Sequence, residues 1–122
     1  MTDILIVDDN ADIRRLLMVS LQKEFEVQEA PDGVTALQMI RLLHPKIVLL
    51  DVMMPGELNG LQVLSEIRGN ASICNTAVMV ITALGQESHL ENAKRHGADA
   101  YLVKPFSTLE VQDWVRSQLA LN

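Results

Sequence analysis

Five polar residues stand where short apolar runs end. Asp8 and Asp9 follow Ile4-Leu5-Ile6-Val7, Asp51 follows Ile47-Val48-Leu49-Leu50, Thr82 follows Val78-Met79-Val80-Ile81, and Lys104 follows Tyr101-Leu102-Val103. Carboxylates held together repel: two unit charges about 4 Å apart interact with roughly 4 kcal/mol at an intermediate dielectric. A cluster of Asp8, Asp9 and Asp51 must therefore be protonated, widely spaced or neutralised by a cation. An all-oxygen donor set suits a hard ion such as Mg2+, which binds through one or two carboxylates and keeps several waters. Phosphate oxygens can replace those waters. Lys104 offers a point charge to a phosphoryl oxygen, and the Thr82 hydroxyl can donate to another. Asp51 is then free to act as a nucleophile, because carboxylates form aspartyl-phosphates, with metal and lysine stabilising the charge on the transferring group.

For that chemistry the five residues must meet, and the surrounding pattern says how. Three of the apolar runs are continuous rather than alternating, as in strands covered on both faces of a parallel sheet. A weaker run, Phe25-Glu26-Val27, suits an edge strand. Between the runs lie helical patterns: Ile13, Leu16, Leu17 and Leu21 share a face, as do Ala36, Leu37, Ile40 and Leu43, then Leu61, Leu64 and Ile67, then Val111, Val115 and Leu119 beside Trp114. Residues 86–96 predict a more exposed helix. Ser107-Thr108-Leu109-Glu110 reads as a capping box, and Gly97 as a glycine closing a helix. Five βα units in a row mean an α/β domain with a parallel sheet. The five polar residues then share the carboxyl edge of the strands, where ligands bind in such sheets.

Composition narrows the function classes. The 122 residues suffice for one domain with its own core, and 48% of them are apolar, which excludes a disordered chain. A net charge of −6 argues against direct nucleic-acid contact and against an anionic membrane, and is compatible with cations and basic partners. No apolar run reaches the length of a membrane span, and the acidic N-terminus is unlike a signal peptide. The single cysteine, Cys74, forbids an intrachain disulfide and fits a reducing compartment, so a cytoplasmic location is expected.

Taken in order, Ile6-Val7-Asp8-Asp9, Asp51-Val52-Met53-Met54-Pro55, Val80-Ile81-Thr82-Ala83 and Ala100-Tyr101-Leu102-Val103-Lys104-Pro105-Phe106 resemble the motifs of the receiver domains of bacterial two-component response regulators. The likeness runs over the whole of 1–122. It implies a single doubly wound (βα)5 flavodoxin-like domain with a parallel five-stranded sheet of order 2-1-3-4-5. It implies Asp51 as phosphoacceptor, and Asp8, Asp9, Asp51 and the backbone carbonyl of Met53 as a Mg2+ site. Thr82 and Lys104 look like the phosphoryl-sensing pair, Tyr101 like the aromatic switch that follows Thr82, and Pro105 like the family's cis-proline that shapes the last βα loop. The donor would be a phosphohistidine on a sensor histidine kinase or histidine phosphotransfer protein, and the receiver of the signal a downstream protein target or an output domain, with a homodimer of the phosphorylated form left open. Intrinsic phosphotransfer and auto-dephosphorylation at Asp51 would be the only chemistry, short of a conventional enzyme. The family usually has three residues between the proline and glycine of the loop after the phosphoacceptor. Here Gly56-Glu57-Leu58-Asn59 puts four between Pro55 and Gly60, which leaves the nucleophile in place but bears on loop shape. Met53 and Leu84 occupy positions thought to tune hydrolysis.

Each residue also has a plainer reading. Asp8 and Asp9 could cap the following helix. Asp51 could be a solvent contact, Thr82 a β-former, Lys104 a surface lysine and Tyr101 a half-buried aromatic. Arg14-Arg15 reads as a solvated helix face, or as a dock for an acidic partner, and His44, His89 and His96 lack metal-ligand spacing. Two other function classes compete. A small Mg2+-dependent phosphohydrolase would need a substrate pocket that so short a chain hardly provides. A nucleotide- or flavin-binding domain would need a glycine-rich phosphate loop after the first run, where Asp8-Asp9 stand instead.

Overall fold

Strand and helix alternate along the chain: β1 (Ile4–Val7), α1 (Ala11–Leu21), β2 (Val27–Ala30), α2 (Gly33–Leu43), β3 (Ile47–Leu50), α3 (Gly60–Gly69), β4 (Ala77–Thr82), α4 (Glu87–Arg95), β5 (Ala100–Val103) and α5 (Thr108–Ala120). The computed structural model describes residues 1–54, 59–83 and 85–120. Within them the five strands form one parallel sheet of order β2-β1-β3-β4-β5. The loop residues 56–58 and Leu84, on which the loop-length and hydrolysis-tuning expectations fall, lie outside the described residues.

The continuous apolar runs are explained by burial on both faces. Successive strand residues point to opposite sides. Leu5, Val7, Val48, Leu50, Val78 and Val80 pack on one side with Ala36, Leu37 and Ile40 of α2 and Val63, Leu64 and Ile67 of α3. Ile4, Ile6, Ile47, Leu49, Met79 and Ile81 pack on the other with Leu17 and Leu21 of α1 and Val111 and Val115 of α5. Each fully buried aliphatic side chain contributes about 1.5–3 kcal/mol, so the two layers make the three central strands a stiff platform. α4 is the most exposed helix, as its polar composition predicts, and buries only Ala93.

The structure departs from the sequence pattern at three places. β2 starts at Val27, not Phe25, and its two central residues, Gln28 and Glu29, are exposed. An edge strand has one neighbour and needs little apolar sequence, so its ends are hard to place. Leu16 faces outward, 48% exposed, because the buried stripe of α1 is narrow and carried by Leu17 and Leu21. Ser107 caps α5 by accepting from the Leu109 N–H at 3.2 Å rather than through a reciprocal box with Glu110. The reciprocal box is found at α3 instead, where Asn59 and Gln62 cap each other. Gly97 does close α4, at φ +99°.

Candidate functional site

Strand register brings the rim together. Val7 pairs with Leu50, and Leu50 with Val80, so the residues after β1 and β3 leave the sheet side by side. The Asp51 N–H still donates to the Val7 carbonyl at 2.9 Å. Thr82, the buried last residue of β4, pairs with Val103, and the Lys104 N–H donates to its carbonyl at 2.7 Å. The helix that follows β1 is capped by Asn10, whose side chain accepts from the N–H groups of Asp12 and Ile13. Asp8 and Asp9 are thereby excused from the capping duty the sequence allowed them.

Asp8, Asp9 and Asp51 each present a carboxylate oxygen, all within 4.8 Å of one another. Asp8 and Asp51 are buried and Asp9 is exposed. Lys104 Nζ lies 3.0 Å from Asp8 Oδ2 and 3.6 Å from Asp51 Oδ2. The other oxygens accept main-chain donors: Asp8 Oδ1 from Asn10 N–H at 2.9 Å, and Asp51 Oδ1 from Met53 N–H at 3.0 Å. One ammonium against three carboxylates leaves the cluster short of positive charge. Burial, together with the charges of Asp8 and Asp9, pushes Asp51 up to about 6 against the pull of the Met53 N–H and Lys104. An all-oxygen, electron-rich cluster of this kind fits a hard divalent cation, which would supply the missing charge.

The model of the response regulator receiver domain matches residues 4–116 of this chain. The chain belongs to that family. The receiver is 43% identical over 117 residues to a probable transcriptional regulator, ycf27, of Cyanophora paradoxa, a match covering 95% of this chain and 47% of that protein. It is 41% identical over 110 residues to the transcriptional regulatory protein SrrA of Staphylococcus aureus, covering 89% of this chain and 44% of that protein. The receiver thus spans less than half the length of these curated relatives. Its fold is similar to the receiver domain of the Francisella response regulator 1452, with a TM-score of 0.88, 28% identity, and coverage of 97% of this chain and 96% of that one. The doubly wound architecture and the two-component receiver class expected from the motifs are both found.

The other expected site residues fall near or beside this corner. Tyr101 lies on β5 opposite Val80, half-buried against the α2–α3 layer, and burial raises its hydroxyl pKa. The Lys104–Pro105 peptide is cis. The Met53 side chain is exposed, while Met54 is buried in the core. Among the described residues no helix is long and apolar enough to cross a membrane.

Two residues beside the site were not assigned to it from the sequence. Gly60, the first residue of α3, donates to the Val52 carbonyl, and a Cβ there would sit 2.2 Å from the Asp51 carbonyl oxygen. Helix α3 is therefore seated on the backbone of Asp51, and the only sequence signal is the glycine itself. Arg14 is not the solvated side chain its neighbourhood suggests. Its side chain is 15% exposed, with Nη1 donating to the Asp8 carbonyl at 2.8 Å and Nε to Glu29 Oε1 at 2.7 Å. Arg15, next to it, is exposed as expected.

Proposed function

We propose that Asp51 accepts a phosphoryl group in a Mg2+-dependent reaction and that residues 1–122 form one receiver unit switched by it. The observation that best supports this is the meeting of Asp51 with Asp8, Asp9 and Lys104 Nζ at the tip of β3. Asp8, Asp9, Asp51 and the main-chain carbonyl of Met53 would hold the ion. When bound, Mg2+ would neutralise the carboxylates and the charge on the transferring phosphoryl oxygens.

The chain's own residues supply the rest. An ionised Asp51 oxygen attacks the phosphorus of a phosphohistidine on a sensor histidine kinase or histidine phosphotransfer protein. A P–O bond forms and the P–N bond breaks. Its electron pair stays on the imidazole, which takes up a proton. Lys104 leaves Asp8 to pair with one phosphoryl oxygen, and the Thr82 hydroxyl donates to another. Tyr101, one strand over from Thr82, follows that shift, and Pro105 shapes the loop that carries Lys104. Hydrolysis of the acyl phosphate at Asp51 resets the domain. The curated relatives are named as transcriptional regulators and are about twice as long. That supports a receiver that passes its state to an output domain or a separate protein target. We place this exchange in the cytoplasm and its contact face on residues 86–120. A phosphorylated homodimer could use the same face.

The test is intact-mass spectrometry after incubation with MgCl2 and acetyl phosphate. Wild type should gain one phosphoryl group, and Asp51→Asn none. Equal gain in both would move the acceptor elsewhere.

A further inference from the structure

We propose that Arg14 is a positioning residue for the cation site: it fixes the β1–α1 loop so that Asp8 and Asp9 stay in register with Asp51. This rests on the Mg2+ reading above. The loop has a reason to move, because it carries two of three carboxylates that repel one another across less than 5 Å. The groups that hold the Asp8 side chain do not tie the loop independently: Lys104 on Oδ2 belongs to the cluster, and the Asn10 N–H on Oδ1 belongs to the loop itself. A cation or a phosphoryl group would compete for Lys104. The Arg14 bond is different, because it grips the Asp8 main chain and leaves both carboxylate oxygens free for other partners.

The guanidinium suits this task by shape. Its fork offers donors in fixed directions. One prong, Nη1, holds the Asp8 carbonyl, and Nε is anchored on Glu29 of β2. The Asp8 N–H donates to the carbonyl of Ala30, the residue after Glu29. Both main-chain polar groups of Asp8 are therefore tied, directly or through Arg14, to two consecutive residues of β2. Without Arg14 the acids would spread apart in the metal-free state, and cation binding would have to order them again.

Charge and position predict opposite signs, which makes the proposal testable. Arg14 is a cation near a cation site, so removing its charge alone should tighten Mg2+ binding. Removing its grip should weaken it. Substituting a partner that bonds a ligand side chain directly typically costs about 10–100-fold in affinity. Arg14 acts one bond further away, so a weakening of about 3–10-fold is expected for Arg14→Met. The readout is the Mg2+ dissociation constant from amide NMR shifts during a MgCl2 titration of the whole chain, with urea midpoints measured in parallel on each variant. Arg14→Lys keeps the charge but loses the fork that reaches both acceptors, serves if the Met variant does not fold, and should also bind more weakly than wild type. Unchanged or tighter binding in the folded variants overturns the positioning role. Absence of saturable shifts around Asp8, Asp9 and Asp51 in wild type would overturn the metal reading itself, and this inference with it.

Discussion

Asp51→Asn should make the metal-free protein more stable at neutral pH. Asp51 is only 4% exposed, and its pKa rises from 3.8 to about 6. A group whose folded pKa exceeds its unfolded value makes the native state bind more protons between the two. Stability therefore falls as pH climbs through that window, and the full cost of the buried charge persists above it. At about 1.4 kcal/mol per pK unit the rise corresponds to about 3 kcal/mol. Asparagine still buries a polar amide and loses the pairing with Lys104 at 3.6 Å, so the expected gain is reduced to about 1–2 kcal/mol. Asparagine removes the charge and keeps an oxygen for the Met53 N–H that Asp51 now accepts at 3.0 Å. The assay is urea unfolding of both proteins in EDTA from pH 4 to 8. The variant should lead by about 1–2 kcal/mol at pH 7.5, and its lead should shrink toward pH 4. Adding MgCl2 should then stabilise wild type more than the variant, because the cation restores a reason for the charge. A variant no more stable than wild type at pH 7.5, or a lead that does not change with pH, would refute the reasoning.

Gly60→Ala should lower stability by about 2–3 kcal/mol, because its Cβ would meet the Asp51 carbonyl oxygen at 2.2 Å and Val52 Cα at 2.4 Å. It should also slow acetyl-phosphate labelling, since the displaced backbone carries Asp51; an unchanged urea midpoint would count against the close approach. Arg68→Met should cost about 2–4 kcal/mol, because Arg68 donates to the carbonyls of Cys74, Thr76 and Gly97 and pairs with Asp99, which in turn accepts the Val78 N–H. That clasp joins the starts of β4 and β5, at the far end of the sheet from Asp51, so hydrogen exchange should quicken at residues 71–78 and 96–99 while the labelling rate at Asp51 holds. Loss of labelling with no change in exchange would mean that the clasp acts on the site and not on local stability.

Much of this protein is local in origin, and local features are what a sequence carries. Apolar runs of four to six residues declare strands buried on both faces, because each residue of β1, β3 and β4 has to suit one layer or the other. The polar residue ending each run marks the end of its strand, which is why Asp8, Asp51, Thr82 and Lys104 read as one edge from the sequence alone. The helical faces of α2, α3 and α5 were legible for the same reason, and α1 failed at Leu16, where a period of 3.6 residues leaves a flanking position undecided.

What only the tertiary structure decided concerns partners far apart in the chain. The order of the strands rested on the family resemblance, because nothing in an apolar run says which other run it lies beside. Register is what puts Lys104 Nζ between Asp8 and Asp51, residues 96 and 53 positions away. The same holds for Arg14, which reads from the sequence as part of a solvated helix face and in the fold has two acceptors, one just past β1 and one on β2. It holds for Gly60, needed because a helix start rests on the backbone of Asp51. A long polar side chain has several partners within reach, and the fold selects among them. The sequence names the groups able to do the chemistry; the sheet's register sets their spacing, and with it the charge that Asp51 can hold.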